Sequence, residues 1–130
     1  MECLVAAACA GGGGGGSYPS GTKVYRALLT QTGTNAPVAT VLQNTLGGTV
    51  AWTRNAVGDY SSTLIGAFPA SKTFLMANAG STVNGWGGIG VLVVSKRISD
   101  NVISVIVADA ALSGQDNEMI GASIEIIVFP

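Results

Sequence analysis

From residue 22 onwards, apolar residues tend to recur at every second position in short runs, which are separated by glycine, proline, asparagine or serine. A period of two places alternate side chains on opposite faces of an extended strand, whereas a helix needs a period of 3.6. The runs predict strands at about residues 22–31, 38–44, 49–54, 57–68, 72–78, 89–98, 102–108 and 123–129. Short strands at this spacing, with no helix longer than about one turn, predict an all-β fold. We expect an antiparallel β-sandwich or jelly-roll-like barrel of about eight strands for residues 22–130.

Residues 1–21 are predicted to form a separate glycine-rich arm. Its apolar head, residues 3–10, contains Leu4 and Val5, and a run of six glycines follows. An extended run of six residues spans on the order of 19 Å at ~3.1 Å per residue. The arm is therefore expected to reach a partner subunit and to bury its apolar head there. The arm residues predicted to make this contact are Cys3, Leu4, Val5, Cys9, Gly11, Gly12, Gly13, Gly14, Gly15 and Gly16.

The two cysteines of the chain, Cys3 and Cys9, both lie in this head, and three interpretations are open. A bridge between them would close a very small loop, which stabilises little on the chain-entropy model. A lipoprotein-type signal ending at Cys9 would lack the usual basic residue before its short apolar run. We favour the third interpretation, in which both are small apolar side chains buried by a contact of the arm.

The charge pattern excludes several classes of function. Six basic residues are balanced by seven acidic ones, so there is no field to hold a nucleic-acid backbone. Charged residues make up only 10% of the chain, which favours association because little charge repulsion keeps copies apart. No apolar stretch reaches the ~18–20 residues that a membrane-spanning helix needs.

Catalytic, metal and cofactor sites are not predicted. The chain has no histidine, which removes the usual catalytic base and the commonest neutral metal ligand. The carboxylates of residues 116–118 are interpreted as a solvated loop, since they offer too few oxygens for Ca²⁺. The glycines of residues 85–90 lack the lysine and the following helix of a phosphate-binding loop.

The remaining candidates for core or contact residues are aromatic residues and apolar residues in the second half of the chain. Trp52 is predicted to be in the core. Trp86, on a glycine-rich loop, either plugs one end of the sandwich or is exposed, where it would contact a partner or stack on a sugar, with Tyr60 as a second sugar-binding residue. Apolar residues at successive positions in 91–94 and 102–107 predict strands that are covered on both faces. Ile127 and Phe129 lie in an apolar C-terminal strand that would be exposed in a monomer, so we expect oligomerisation to cover them.

Four segments resemble a small β-domain that recurs in virion proteins of tailed phages infecting Bacteroidetes: KVYRALLTQ (23–31), APVATVLQNTLGG (36–48), WTR (52–54) and GDY (58–60). The resemblance covers residues 22–68 and is to head-fibre, capsid-decoration and tail-fibre subunits. It implies a non-enzymatic structural virion protein that forms dimers or trimers and docks to other virion proteins through its arm. The alternative is a secreted or cell-surface carbohydrate-binding module that uses Trp86, with a glycan as its partner.

Overall fold

The computed structural model describes residues 18–79 and 91–130, which form eight strands and, over those ranges, no α-helix. The strands are β1 (Lys23–Thr30), β2 (Val38–Asn44), β3 (Ala51–Ala56), β4 (Asp59–Thr63), β5 (Thr73–Asn78), β6 (Leu92–Arg97), β7 (Val102–Ala108) and β8 (Ile120–Val128). They make two four-stranded antiparallel sheets, sheet A in the order β2-β1-β8-β5 and sheet B in the order β3-β4-β7-β6. The prediction of an all-β antiparallel sandwich is confirmed.

The two sheets face each other across one apolar core. The alternation in β8 places Ile124 and Ile126 on the core side, where they are 2% and 0% exposed. The largest fully buried side chains of the described residues include Tyr25, Tyr60 and Phe68. Trp52 is half-buried and packs against the edge of this core, with its Nε1–H donating to the Tyr25 hydroxyl at 3.1 Å. The expectation that Trp52 is a core residue therefore holds only for one side of its ring system.

The C-terminal strand is not an exposed edge. β8 lies between β1 and β5, so that Ile127 is paired with Val24 on one side and with Phe74 on the other. Ile127 is only 4% exposed within a single chain, and the expectation that a partner copy must cover it is wrong. Phe129 is half-buried, and its N–H donates to the Lys72 carbonyl at 2.9 Å. A period-two pattern indicates a strand but not its neighbours, which is why the sequence suggested an edge.

The strand predicted over residues 57–68 ends at Thr63. The following residues form a loop that bonds to the turn between β6 and β7 instead of continuing the ladder. Leu64 N–H donates to the Asn101 carbonyl at 2.9 Å, and Phe68 N–H donates to the Asp100 carbonyl at 2.8 Å. These bonds carry Phe68 into the core, where it is fully buried.

The expectation that the strands at residues 91–94 and 102–107 are covered on both faces is met only in part. Most of β7 is buried on both faces, whereas β6 alternates between exposed and half-buried residues. β5 and β6 lie alongside each other at one side of the sandwich and close it. β2 and β3 are the strands at the other ends of the two sheets.

Within the described ranges, no helix is long and apolar enough to cross a membrane.

A close backbone approach between two loops gives a stability prediction. A Cβ on Gly114 would lie 2.3 Å from the Val57 carbonyl oxygen, whereas a Cβ on Gly48 would meet the movable end of the Leu64 side chain at 2.9 Å. We expect Gly114→Ala to lower the free energy of unfolding by about 2–3 kcal/mol, because backbone must shift. The control Gly48→Ala should cost less than about 1 kcal/mol. Urea denaturation of both variants measures the difference, and equal losses would contradict the packing of the two loops.

Candidate interaction surface

A polar cluster joins the two sheets at one end of the sandwich. It consists of Gln31 after β1, Arg54 on β3, Tyr60 on β4, and Asp116 in the loop before β8. The Tyr60 hydroxyl donates to Asp116 Oδ1 at 2.6 Å, and Arg54 Nη2 donates to Asp116 Oδ2 at 2.7 Å. The Gly58 N–H adds a third bond to the carboxylate at 3.2 Å.

Gln31 connects this cluster to sheet A. Its Oε1 accepts from the Asn117 N–H at 2.7 Å, and its Nε2 donates to the Gly33 and Asn35 carbonyls at 2.8 and 2.9 Å. The Gln31 N–H also donates to the Met119 carbonyl at 3.0 Å. The loop before β8 is thus held by side chains from both sheets, which makes the cluster a structural clamp.

The protonation states follow from these contacts. Hydrogen bonding from Arg54 lowers the pKa of Asp116 to about 2, with further lowering by Tyr60 and the Gly58 N–H. Burial raises the pKa of Tyr60, and its bond to the Asp116 carboxylate raises it further. At neutral pH the cluster therefore contains an ionised Asp116 and a neutral tyrosine that donates to it.

Two expectations about these residues are wrong. The 116–118 segment is not a solvated loop, because the Asp116 side chain is 12% exposed and Glu118 is 4% exposed. Tyr60 is 1% exposed, so its ring cannot stack on a sugar. The sugar-binding hypothesis then depends on Trp86, which lies outside the described residues.

We expect Asp116→Asn to reduce stability at neutral pH and to flatten its acid dependence. Because the folded pKa is below the unfolded value of 3.8, ionised Asp116 contributes stability above that value, and the contribution is lost as the pH falls towards about 2. The shift corresponds to about 2 kcal/mol. Urea denaturation of the wild type and the variant between neutral and acidic pH measures it.

The surface carboxylate Asp59 provides the matched control, since its side chain accepts a bond from the exposed Asn55 amide at 3.2 Å. Asp59→Asn should cost less stability at neutral pH than Asp116→Asn. An unchanged acid dependence in Asp116→Asn would contradict the role given to the clamp.

The face of sheet A that points away from the core carries the first candidate interaction surface, and we call it the outer face. Paired residues form rows across it: Val24, Ile127 and Phe74 in one row, and Arg26, Glu125 and Met76 in the next. Phe74 and Met76 are each 48% exposed. Arg26 and Glu125 form an ion pair, so the charges in this row cancel.

A groove of about 250 Å³ lies in the outer face. Its sides are formed by Leu42 of β2 and Met76 of β5, and Arg26, Leu28 and Glu125 lie between them. An apolar cavity of ~150 Å³ holds a benzene molecule, so this groove has room for more than one aliphatic side chain.

The free edge of β2 is the second candidate surface. β2 pairs with β1 on one side and ends sheet A on the other. Val38, Val41 and Leu42 are 68%, 50% and 62% exposed. The register shifts between Arg26 and Ala27, which leaves Leu42 as an extra residue in a β-bulge. Residues 38–41, before the bulge, pair regularly with β1, and Val38 and Val41 point to opposite faces of the sheet.

Most of the predicted contact residues lie outside the described residues: Cys3, Leu4, Val5, Cys9, the glycines 11–16 and Trp86. The three interpretations of the cysteines therefore stay open. Of the other two, Ile127 is buried, and Phe129 packs edge to face against Tyr18 with ring centroids 6.1 Å apart.

Sequence reasoning missed the edge of β2, although the apolar residues at 38, 41 and 42 were a signal for it. Within residues 18–79 and 91–130, no group of three or more acidic or cysteine side chains is placed to hold a metal ion.

Comparison of the chain with protein-family models, curated proteins and solved structures found no match.

Proposed function

We propose that the protein is a non-enzymatic structural subunit that forms a dimer through the free edge of β2 and acts in a virion. The observation that carries the proposal is that Val38 and Val41 are exposed on a strand that pairs with β1 on one side only. A free edge presents backbone N–H and C=O groups that can pair with another strand. Soluble proteins usually protect such an edge with lysine, proline or a bulge. β2 contains neither lysine nor proline, and its bulge comes only after residue 41.

Pairing of β2 with β2 of a second copy follows from this geometry. Antiparallel pairing of two identical strands places them around a twofold axis, which is the commonest symmetry of oligomers. β2 has no charged residue, so the two strands bring no like charges together. The pairing would extend sheet A across both copies and cover Val38 and Val41. It also gives a physical reason for the low charge of the chain, since neutral surface is available for association.

The virion context is supported by the resemblance of residues 22–68 to phage structural proteins. In that context residues 1–16 of the arm attach the dimer to other virion proteins. The six glycines would give the arm its reach and the apolar head its contact surface. The location follows as the virion, with the cell surface or extracellular space as the alternative.

We expect Val41→Lys in the full chain to convert the dimer to a monomer. Lysine on an edge strand opposes pairing, and a twofold edge contact would bring it in on both strands. The control is Val94→Lys on β6, a position that is 43% exposed compared with 50% for Val41, and it should remain dimeric. Size-exclusion chromatography with light scattering gives the mass. A monomeric wild type, or loss of the dimer in both variants, would contradict the proposal.

The virion context has a separate test. Antibodies against the full chain should label phage particles purified from the source culture in immunogold electron microscopy. Labelling of cell surfaces without labelling of particles would favour the extracellular alternative and remove the virion assignment. Neither result depends on the oligomeric state.

A further inference from the structure

We propose that the groove in the outer face binds the apolar head, residues 3–10, of the same chain. This inference goes beyond the proposed dimer, because the occupant is the chain itself and the groove is separate from the edge contact at residues 38–41. Three observations carry it: the place where the arm joins the sandwich, the length of the arm, and the chemistry of the groove.

The arm joins the sandwich beside the groove. Tyr18, the first described residue, packs on Phe129, which directly follows β8 at one end of the outer face. Tyr18 also helps to raise the pKa of Arg26, after the larger effect of the Glu125 bond, which places its hydroxyl near Arg26. Arg26 lines the groove. The chain therefore arrives at the border of the groove from the side of Phe129.

The arm is long enough to cover the distance to the groove. Residues 11–17, six glycines and a serine, separate the head from Tyr18. A glycine-rich linker of seven residues has in general a root-mean-square span of roughly 15 Å. From the row of Arg26 to the row of Leu28 the strand advances about 7 Å. A short tether whose mean span exceeds the distance by about twofold still gives an effective concentration of the order of millimolar, which favours the chain's own head over that of a second copy.

The chemistry of the head suits the groove. Leu42 and Met76 form its apolar sides, and its Arg26 and Glu125 side chains already satisfy each other as an ion pair. The head contains Leu4 and Val5 with four alanines and two cysteines, and it has no charged residue. Its aliphatic side chains can enter the groove without leaving a charge unpaired. In this position the head is covered until a contact with another virion protein replaces the groove.

The native cysteines of the head provide the test. Cys3 and Cys9 are the only two in the chain, so a cysteine placed in the groove reports which residues come near it. The variants are Met76→Cys and Leu42→Cys in the full chain, reduced first and then oxidised in a glutathione buffer at low protein concentration. We expect an intrachain disulfide from each introduced thiol to Cys3 or Cys9, identified by mass spectrometry after digestion.

Exposed positions away from the groove provide the matched controls. Val94→Cys and Ile65→Cys, at positions that are 43% and 78% exposed, should form the link about tenfold more slowly. Adding Leu4→Asp to Met76→Cys should slow the link to the rate of the controls, because a carboxylate opposes entry into an apolar groove. Equal rates at all positions, or no link at the groove positions, would overturn the proposal.

A disulfide between two copies at the groove positions would also overturn the proposal, because it would assign the groove to the head of another chain. The Met76→Cys experiment is repeated in the Val41→Lys background to separate the two proposals. The intrachain link should persist there although the dimer is lost. Loss of the link with the dimer would show that the head reaches the groove only in the assembly.

Discussion

The pairing of β8 with both β1 and β5 is the contact on which the rest of the structure depends. It joins the first and last strands of the sandwich. β8 places Ile126 in the core and Glu125, the ion-pair partner of Arg26, on the outer face. It also brings Tyr18 and Phe129 to the same end of sheet A. Since β1 uses one edge for β8, β2 can pair only on the other side of β1 and becomes one of the two edge strands of sheet A.

The polar cluster fixes the position of one sheet relative to the other, which the apolar packing alone does not do. Burial of apolar side chains is not directional and tolerates small shifts between two sheets. Asp116 accepts bonds from Tyr60 and Arg54 of sheet B, while Gln31 of the β1 end holds the neighbouring Asn117. Any sliding of one sheet over the other would break these bonds and leave a buried carboxylate without its donors, which is costly. The clamp thus fixes the arrangement that exposes the edge of β2 and the groove.

Local features could be predicted from the sequence, and pairings could not. The bounds of β2 and β7 agree with the predicted 38–44 and 102–108, because the period of two and the flanking turn residues lie within those segments. Tyr60 and Asp116 are 56 positions apart, and nothing in either segment indicates the other. The central place of β8 and the burial of Phe68 likewise depend on partners distant in the chain. The free edge of β2 became a candidate site only when the sheet order placed β2 at the end of sheet A.

The central claim is that the edge of β2 pairs with a second copy. Hydrogen–deuterium exchange of the full chain, followed at low and high protein concentration, tests it most directly. If the edges pair, those amides of residues 38–41 that point away from β1 become protected as the concentration rises, while the exposed residues of β6 exchange at an unchanged rate. If these amides exchange equally fast at both concentrations while the mass of the particle doubles, the interface lies elsewhere and the account is wrong.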